Sequence, residues 1–510
     1  MEKTKRKSRA LIWILAALVI IIIAAIFVFQ RNYTFLNGEI VSRDKAYIDL
    51  NGTGQANVSE LEGLNAPEVM DLRGTEVSAE EIAQLKSTYP DCRILWTVKV
   101  CEGLELDNEV TALTLANGTQ AEALPAFADE LSLVNEIKVD YPNISKSHYD
   151  ALAAAFPAAE IEYSVVIDGE EISLDTEKLD FSAFSYDEVM EAAELIKLLP
   201  KLTDIELMSA EGASPFSLDE VILIQEACPG IKLNYCFELF GMDVSTAAER
   251  LEYYDTEIGD EGLDVFRKVI PIMHGLKYLR FDNCETSDDG VAQLRDEFPE
   301  VKVVWLLTVG KAQFYTDTIR IRVNFNFLKE EVWKLKYCTD VKYIDCGHLL
   351  QIFDVEWARY MPNLEVCIVA LTNVKDISPL AECKNLEFLE IFSNDIHDIS
   401  ALAECENLQY LNISNIPIDD ITAIYGLDKL VKVNCNMVRD VPQEQVDEFR
   451  RLHPDTIFNF YRYAGPTETN WRIGGENGTY YNERYALLRE QMGYDEYRIA
   501  PYGYLPAPID

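Results

Sequence analysis

"NLEFLEIFSNDIHDISALAECE" (Asn385–Glu406) is followed at once by "NLQYLNISNIPIDDITAIYGLD" (Asn407–Asp428), and these two 22-residue stretches differ mainly in their polar residues. In each stretch the apolar residues alternate over L-x-x-L-x-L, which predicts a short strand with one buried face. The residues after it predict a turn and a brief helical return. The frame opens at intervals of 22 residues, at Leu364, Leu386, Leu408 and Leu430. Because one unit cannot bury its own apolar edge, neighbouring units must stack.

This frame resembles that of the leucine-rich repeat family, in particular the 22-residue type of bacterial internalin-like surface proteins. The resemblance covers about Val341–Val438 and implies a horseshoe-shaped solenoid, with adhesion or host contact in some relatives. The sequence departs from the family pattern at the asparagine that usually follows the strand. Asn394 fits this position, but Thr372 and Ile416 occupy it in the neighbouring units. We expect a looser asparagine ladder and an intact fold.

A second, longer repeat precedes these units. Four serines each stand twelve residues before a proline: Ser78, Ser145, Ser217 and Ser287. Each serine predicts the N-cap of a helix that ends before the proline, with Glu81 and Glu220 in the reciprocal capping position. A strand with one aromatic residue and then a glycine follow each proline, and we expect a β-hairpin after that glycine. We interpret the region as irregular leucine-rich repeats; an unrelated α/β domain with its own internal duplication is the alternative.

The predicted fold class is α/β: a leucine-rich-repeat solenoid (horseshoe) with hairpin insertions, preceded by one transmembrane helix. A solenoid can hold 510 residues because each unit contacts only its neighbours. The predicted organisation is a cytoplasmic basic segment (1–9), a transmembrane signal anchor (10–29), a juxtamembrane stalk or N-terminal cap (30–65), irregular units of about 70 residues (66–340), regular repeats (341–440), and a C-terminal cap with a tyrosine-rich tail (441–510). We expect the tail from Pro466 to cover the solenoid end; a ligand-binding tyrosine patch is the alternative.

The N-terminus combines a basic cluster with a long apolar run. Residues 1–9 contain five Lys or Arg, and Ala10–Phe29 runs for twenty residues without a charge. A helix of that length is about 30 Å long, which matches the hydrocarbon core of a bilayer. The alternative is a cleaved signal peptide, whose apolar part is usually about 7–15 residues long. We expect a single-pass protein of the cell membrane, with a cytoplasmic N-terminus and its bulk extracellular.

Charge and cysteine usage limit the partners. The chain has 87 acidic and 45 basic residues, which gives a formal charge of −42. Such a surface repels nucleic acid, so no nucleic-acid partner is expected. The eleven cysteines include no CxxC pair, and we expect buried free thiols, with one disulfide bridge among them as the alternative, and no metal and no cofactor. Unpaired thiols in an exported chain indicate a bacterial source.

Catalytic motifs do not occur in the sequence. The five histidines are dispersed over different units, and no G-x-S-x-G, H-E-x-x-H, P-loop or dinucleotide-binding motif is present. Repeats also offer few irregular places at which a nucleophile, a base and a metal can be assembled. We predict a protein that is not an enzyme; an exported enzyme whose catalytic groups converge only on folding is an alternative.

The residues that vary between repeats predict a binding surface. In L-x-x-L-x-L the intervening side chains project from the concave face, where strands about 4.8 Å apart would align them into one exposed aromatic and apolar stripe. The candidate ligand-binding residues are Tyr343, Ile368, Phe388, Glu390, Phe392, Tyr410, Asn412, Lys432 and Asn434. The predicted function is adhesion to, or binding of, a protein or glycan ligand at the cell surface. The alternatives are rings that only stack across strands to stabilise the sheet, and a structural or regulatory envelope scaffold.

Overall fold

The structure, a computed structural model, describes residues 2–310, 312–322, 329–474 and 480–495. The chain folds into two compact units, unit 1 (Met1–Ile231) and unit 2 (Lys232–Asp510). Both units combine short parallel strands with helices, so the α/β class predicted from the sequence is confirmed.

Unit 1 begins with a long helix and continues as strands alternating with helices. Its α-helices are α1 (Glu2–Asn32), α2 (Val58–Leu61), α3 (Ala79–Thr88), α4 (Gly118–Ala123), α5 (Lys146–Ala155), α6 (Tyr186–Ile196) and α7 (Leu218–Ala227), and a 3₁₀ turn follows α4 at Leu124–Phe127. Its strands are β1 (Tyr33–Leu36), β2 (Glu39–Ser42), β3 (Tyr47–Asp49), β4 (Val69–Asp71), β5 (Arg93–Leu95), β6 (Thr97–Cys101), β7 (Leu104–Asp107), β8 (Ala112–Leu115), β9 (Glu136–Val139), β10 (Glu160–Glu162), β11 (Val165–Ile167), β12 (Glu170–Ile172), β13 (Lys178–Asp180) and β14 (Asp204–Glu206). Strands β3-β4-β5, β8-β9-β10 and β13-β14 pair in parallel, whereas β1-β2, β6-β7 and β11-β12 are antiparallel hairpins.

Helix α1 contains the predicted membrane span. Among the described residues it is the one helix long and apolar enough to cross a bilayer, with a mean hydropathy of 2.9 over Trp13–Asn32. Its length and composition suit a membrane anchor and a signal sequence alike. The segment that follows is folded: β1 and β2 form a hairpin directly after α1, and β3 is the first strand of a parallel sheet.

Unit 2 carries the 22-residue repeats. Its strands are β15 (Lys232–Asn234), β16 (Cys236–Leu239), β17 (Met242–Ser245), β18 (Arg250–Tyr254), β19 (Tyr278–Asp282), β20 (Lys302–Val309), β21 (Ala312–Tyr315), β22 (Arg320–Arg322), β23 (Tyr343–Asp345), β24 (Val366–Ile368), β25 (Phe388–Glu390), β26 (Tyr410–Asn412), β27 (Lys432–Asn434), β28 (Ile457–Asn459), β29 (Ile473–Gly474) and β30 (Tyr480–Tyr481). Its α-helices are α8 (Gly259–Val269), α9 (Asp288–Glu297), α10 (Gln443–Leu452) and α11 (Glu483–Gln491). Short 3₁₀ helices occur at Ile270–Ile272, Lys329–Tyr337, Glu356–Tyr360, Ser378–Glu382, Ser400–Glu404 and Thr422–Ile424.

Strands β22 to β28 form one seven-stranded parallel sheet in sequence order. The register follows the repeat, because Val366, Phe388 and Tyr410 are Cα partners across β24, β25 and β26. The middle residue of each repeat strand is buried in the core: Ile344, Cys367, Leu389, Leu411 and Val433. The flanking residues point to the opposite side of the sheet. The alternation predicted from L-x-x-L-x-L is therefore confirmed.

The predicted capping serines begin helices in both units. Ser78, Ser145, Ser217 and Ser287 are the N-caps of α3, α5, α7 and α9, and each side chain accepts a hydrogen bond from a backbone N–H of the first turn. Glu81 and Glu220 complete reciprocal capping boxes, as predicted. A cap of this kind typically contributes about 1 kcal/mol to stability.

The inserted hairpins turn at the predicted glycines. Hairpins β6-β7, β11-β12, β16-β17 and β20-β21 reverse direction at Gly103, Gly169, Gly241 and Gly310. The expectation that each hairpin begins after its glycine is wrong. The φ angles of these glycines, 64° to 80°, lie in the left-handed region that the tight turn itself requires.

Asn394 links two repeats in the way its position predicts. Its Nδ2 donates to the carbonyl oxygens of Val369 (2.7 Å) and Ile391 (3.0 Å), and its Oδ1 accepts from Thr372 N (3.0 Å) and Thr372 Oγ1 (2.7 Å). The threonine hydroxyl thus supplies one of the hydrogen bonds that a second asparagine side chain would make in the ladder. The expected loosening of the ladder does not occur at this step.

Candidate ligand-binding face

One side of the seven-stranded sheet carries all the predicted ligand-binding residues. This side, here termed the strand face, consists of the outward-pointing residues of β23 to β27 and the residues that continue their rows. The first row contains Tyr343, Val366, Phe388, Tyr410 and Lys432. The second row contains Asp345, Ile368, Glu390, Asn412 and Asn434. The third row contains Ala370, Phe392, Ser414 and Asn436. The alignment of these side chains follows the sequence prediction.

The strand face is covered by the protein's own C-terminal segment, defined as residues 465–474 and 480–495. Glu390, Asn412 and Asn434 are 0% exposed, Phe388 is 2% exposed, and Ile368, Phe392 and Lys432 are also buried. Tyr343 and Tyr410 are half-buried. The prediction of an exposed stripe is therefore wrong. It failed because the covering segment carries no repeat and its position cannot be read from the 22-residue period.

Apolar side chains make the centre of this contact. Trp471, Tyr485, Leu488 and Met492 of the C-terminal segment pack in one cluster with Val366, Ile368, Ala370, Phe388 and Phe392 of the strand face. The Trp471 ring lies 5.6 Å from that of Phe388, and Phe388 stacks on Tyr410 across neighbouring strands at 6.1 Å. The cross-strand stacking considered as an alternative is thus present, and it forms part of a larger aromatic cluster.

Glu390 is the charged centre of the contact. Its carboxylate accepts hydrogen bonds from Trp471 Nε1 and from the Arg472 guanidinium, both at 2.5 Å. Burial raises the pKa of Glu390, and the Arg472 charge and the two hydrogen bonds oppose that rise. A buried carboxylate is costly unless it is paired and hydrogen-bonded. Glu390 therefore selects an N–H donor and a cation as neighbours.

A row of side-chain donors holds the main chain of the C-terminal segment. The donors reach carbonyl oxygens: Lys432 Nζ to Thr469 (3.0 Å) and Asn470 (2.6 Å), Asn412 Nδ2 to Pro466 (2.9 Å), Asn434 Nδ2 to Pro466 (3.2 Å), and Asn436 Nδ2 to Gly465 (3.2 Å). Burial lowers the pKa of Lys432. Because every peptide carries carbonyl oxygens, these contacts position a chain without reading its sequence.

The far end of the C-terminal segment is fixed at the other edge of the strand face. The Tyr494 hydroxyl donates a hydrogen bond to the carboxylate of Asp345, and Arg322 donates to the carbonyl oxygen of Gly493 at 2.5 Å. Between these ends, the Arg484 guanidinium lies over the Phe388 ring at 4.9 Å. The segment is thus held by polar contacts at both ends and by rings in the middle.

Two cavities flank the C-terminal segment. One, of about 290 Å³, is lined by residues that include Phe388, Tyr410, Lys432, Trp471 and Arg484. The other, of about 310 Å³, is lined by residues that include Arg322, Asp345, His348, Arg472 and Tyr494. In the part of the chain that the structure describes, no group of three or more His, Cys, Asp or Glu side chains is placed to hold a metal ion.

Residues 384–428 match the family described as leucine-rich repeats, in two copies. These residues are leucine-rich repeats. The recognition made from the L-x-x-L-x-L frame is confirmed, and the seven-stranded parallel sheet is a leucine-rich-repeat solenoid. No curated protein sequence matches the chain.

Solved structures similar to this chain include leucine-rich-repeat proteins of two bacteria. An internalin C2 of Listeria monocytogenes is 19% identical over 44% of this chain and 80% of that chain, with a TM-score of 0.24. The internalin inlF of the same organism is 13% identical over 85% of this chain and 87% of that chain, with a TM-score of 0.23. A leucine-rich-repeat protein of Leptospira interrogans is 12% identical over 82% of this chain and 96% of that chain, with a TM-score of 0.24.

The residues of the C-terminal segment were the part of the site that the sequence did not reveal. Trp471, Arg472, Arg484 and Tyr485 each contact the strand face, yet none lies in a leucine-rich repeat. The available signal is the aromatic composition of the tail. The sequence nevertheless predicts a cover for the solenoid end, because an open end exposes its core. In the structure the described part of the tail lies on the strand face instead, and α10 and β28 follow the last repeat strand.

Proposed function

We propose that this chain is a non-catalytic protein-binding module held at a cell membrane by α1, with its folded units outside the cytoplasm. The observation that carries the proposal is the occupation of the strand face by a polypeptide segment. The face binds an indole, a guanidinium and a series of main-chain carbonyl oxygens at the same time. Solenoids of repeats typically use such extended surfaces for binding.

The proposed ligand-contacting residues are those predicted from the repeat. Phe388, Phe392, Ile368, Tyr343 and Tyr410 supply the apolar surface, Glu390 supplies the charge, and Lys432, Asn412 and Asn434 supply donors to a bound main chain. The same residues hold the C-terminal segment in the structure. Their combination suits a protein ligand better than a glycan, because rings, amides and one buried carboxylate match the groups of a peptide.

A labelling experiment tests the proposed location. Cys236 is the exposed cysteine of the chain, so a membrane-impermeant maleimide should label it in intact cells if the folded units lie outside. A Cys236→Ser variant controls for labelling at the other thiols. Labelling that requires cell lysis would contradict the extracellular placement.

Cross-linking in living cells tests the binding function. A photo-reactive amino acid in place of Tyr463, which is 89% exposed and adjoins the C-terminal segment, should capture a partner protein. The matched control places the same group at Tyr254, which is exposed on a different sheet of unit 2. Recovery of no protein, or of the same proteins from both positions, would contradict binding at the strand face.

A structural or regulatory envelope scaffold is the second candidate. The observation that favours it is the exposed apolar group of Tyr33, Phe35 and Ile40 on the hairpin that directly follows α1. That position would suit contact with a neighbouring membrane protein. Deletion of α1 separates the two functions, because a released binding module keeps its ligand whereas a scaffold loses its effect.

A further inference from the structure

The C-terminal segment contacts the strand face without joining its sheet. Strands β22 to β28 pair with one another, and β29 and β30 pair in a separate two-stranded sheet. The described contacts between segment and face are side-chain hydrogen bonds, ring packing and the Glu390–Arg472 ion pair. Since no backbone ladder is shared, the segment can leave while the solenoid keeps its main-chain hydrogen bonds.

The strand face imposes a conformation on the segment. Thr469 and Asn470 adopt φ angles of 59° and 58°, in the left-handed region; asparagine tolerates this region, but β-branched residues such as threonine avoid it. The Thr469 hydroxyl lies 3.1 Å from Asn434 Nδ2 and 3.3 Å from Asn436 Nδ2, so the face holds this turn in place. Release of the segment would relieve the unfavourable backbone.

Departure of the segment would expose a surface that needs a new occupant. Glu390 would lose its indole donor and its guanidinium, and the rings of Phe388 and Phe392 would face water. The amide and lysine groups can donate hydrogen bonds to the carbonyl oxygens of any main chain. The face therefore selects its partner through Glu390 and these two rings, which favour an aromatic residue next to an arginine.

Charge favours a basic partner over a second copy of this chain. The sequence 465–495 contains three arginines against five acidic residues, and the whole chain has a formal charge of −42. Two copies would repel each other, whereas a basic segment would be attracted to the acidic surface. The protein's own segment thus matches the face in shape and pairs with Glu390, but its excess of acidic residues has the same sign as the charge of the whole chain.

Resting on the proposed function, we infer that the strand face is a recognition site for a basic polypeptide segment carrying a tryptophan next to an arginine, and that the C-terminal segment is the internal occupant such a partner displaces. The partner's aromatic N–H and guanidinium bind Glu390 in place of Trp471 and Arg472. Its carbonyl oxygens bind Lys432 and the amides of the second and third rows.

Binding of labelled peptides to the full chain tests this inference. The first peptide has the sequence of residues 465–495, the second has its Trp-Arg pair replaced by Ala-Ala, and the third has its five acidic residues replaced by their amides. The chain variant Trp471→Ala/Arg472→Ala weakens the binding of the internal occupant, and Tyr463→Ala/Arg462→Ala is the matched control at exposed positions.

The first peptide should bind the weakened variant at least about tenfold more tightly than the control chain. The Ala-Ala peptide should bind the weakened variant with an affinity at least about tenfold lower than that of the first peptide. The amide peptide should bind most tightly, with an affinity that falls as salt is added.

Equal binding of the first two peptides by the folded variant would overturn the inference, and so would no binding at all. A stable dimer formed by segment exchange would assign the face to a second copy and overturn the basic partner. Hydrogen exchange on the wild-type chain gives a readout without mutation: amides of 465–474 and 480–495 should exchange faster than those of β23 to β27, and equal protection would overturn displacement. If the peptide binds but cross-linking recovers no protein, the proposed function fails and the recognition site stands. If cross-linking captures a protein that the peptide does not displace, the recognition site fails and the proposed function stands.

Discussion

The carboxylate of Glu390 accepts a hydrogen bond from Nε1 of Trp471 at 2.5 Å, although the two residues are 81 positions apart in the sequence. Glu390 belongs to a repeat strand whose outward-pointing residues follow from the 22-residue period. Trp471 belongs to a segment with no repeat. The sequence predicts that this row of side chains is exposed to solvent. The contact between Glu390 and Trp471 instead places it in a buried interface within one chain.

Trp471→Ala should release the C-terminal segment. The indole packs in the buried cluster and pairs with Glu390, and loss of a buried tryptophan side chain typically costs about 3–5 kcal/mol. Because the C-terminal segment shares no backbone ladder with the sheet, we expect the loss to appear as cleavage within 465–474 or 480–495 in limited proteolysis while the repeats stay intact. Tyr463→Ala, at a position that is 89% exposed, should leave the cleavage pattern unchanged. A variant with wild-type protease resistance would show that the indole does not hold the segment.

Glu390→Gln should reveal the effect of burial through pH. Burial raises the pKa of Glu390 above its ordinary 4.5, so the folded chain binds this proton more tightly than the unfolded chain. The contribution of Glu390 to the free energy of unfolding is therefore fully present at low pH and falls as pH rises through the raised pKa. We expect urea unfolding between about pH 4 and pH 7 to show the wild type losing stability relative to Glu390→Gln. A wild type that instead gained stability relative to Glu390→Gln as pH rises would mean that Arg472 outweighs burial.

Asn394→Ala should destabilise the repeats. The amide makes four hydrogen bonds to Thr372, Val369 and Ile391, and an unpaired buried polar group typically costs about 1–3 kcal/mol. We expect a lower free energy of unfolding in urea. Asn385→Ala, which removes one exposed bond to Pro362, is the matched control and should change stability by less. Equal effects of the two substitutions would contradict a structural role for the Asn394–Thr372 pair.

Gly275→Ala should be far more disruptive than Gly426→Ala. A Cβ at Gly275 would lie 2.3 Å from the carbonyl oxygen of Ala247, which is backbone and cannot rotate away. Overpacking of this kind typically costs about 1–3 kcal/mol or more. A Cβ at Gly426 meets no atom within 4 Å, so that variant should fold with nearly wild-type stability. Thermal unfolding of the two variants checks the contrast, which equal melting temperatures would rule out.

Cys236 should be the first thiol to react in the native protein. All eleven cysteines are free, and Cys236 is exposed while Cys92 and Cys101 are half-buried. The remaining eight are buried, as expected from their apolar contexts, and burial raises the pKa of Cys383 to about 12 and that of Cys405 to about 11. Because the thiolate is the reactive form, these thiols should react only after unfolding. Alkylation followed by mass spectrometry should find Cys236 modified first, and the fast phase should disappear in Cys236→Ser.

Local signals predicted most of the fold. Ser217 with Glu220 marks the start of α7 because a serine hydroxyl and a glutamate satisfy the free N–H groups at a helix end. Gly169 marks a hairpin because glycine adopts the positive φ of the turn at little cost. The sequence predicts the hairpin after the glycine, whereas in the structure the glycine is in the turn and the strand before it is the first strand of the hairpin.

The sequence by itself determined the repeat, the capped helices and the direction in which Phe388, Glu390 and Tyr410 point, because each follows from periodicity over a few residues. Only the tertiary structure decided that these side chains are covered. That outcome depends on long-range contacts, Glu390 with Trp471 and Lys432 with Thr469, between a periodic sheet and a segment without a pattern. The physical reason is that alternation determines the side of a strand on which a residue lies. What covers that side depends on the shape and charge of a distant segment, which only folding brings into contact with it.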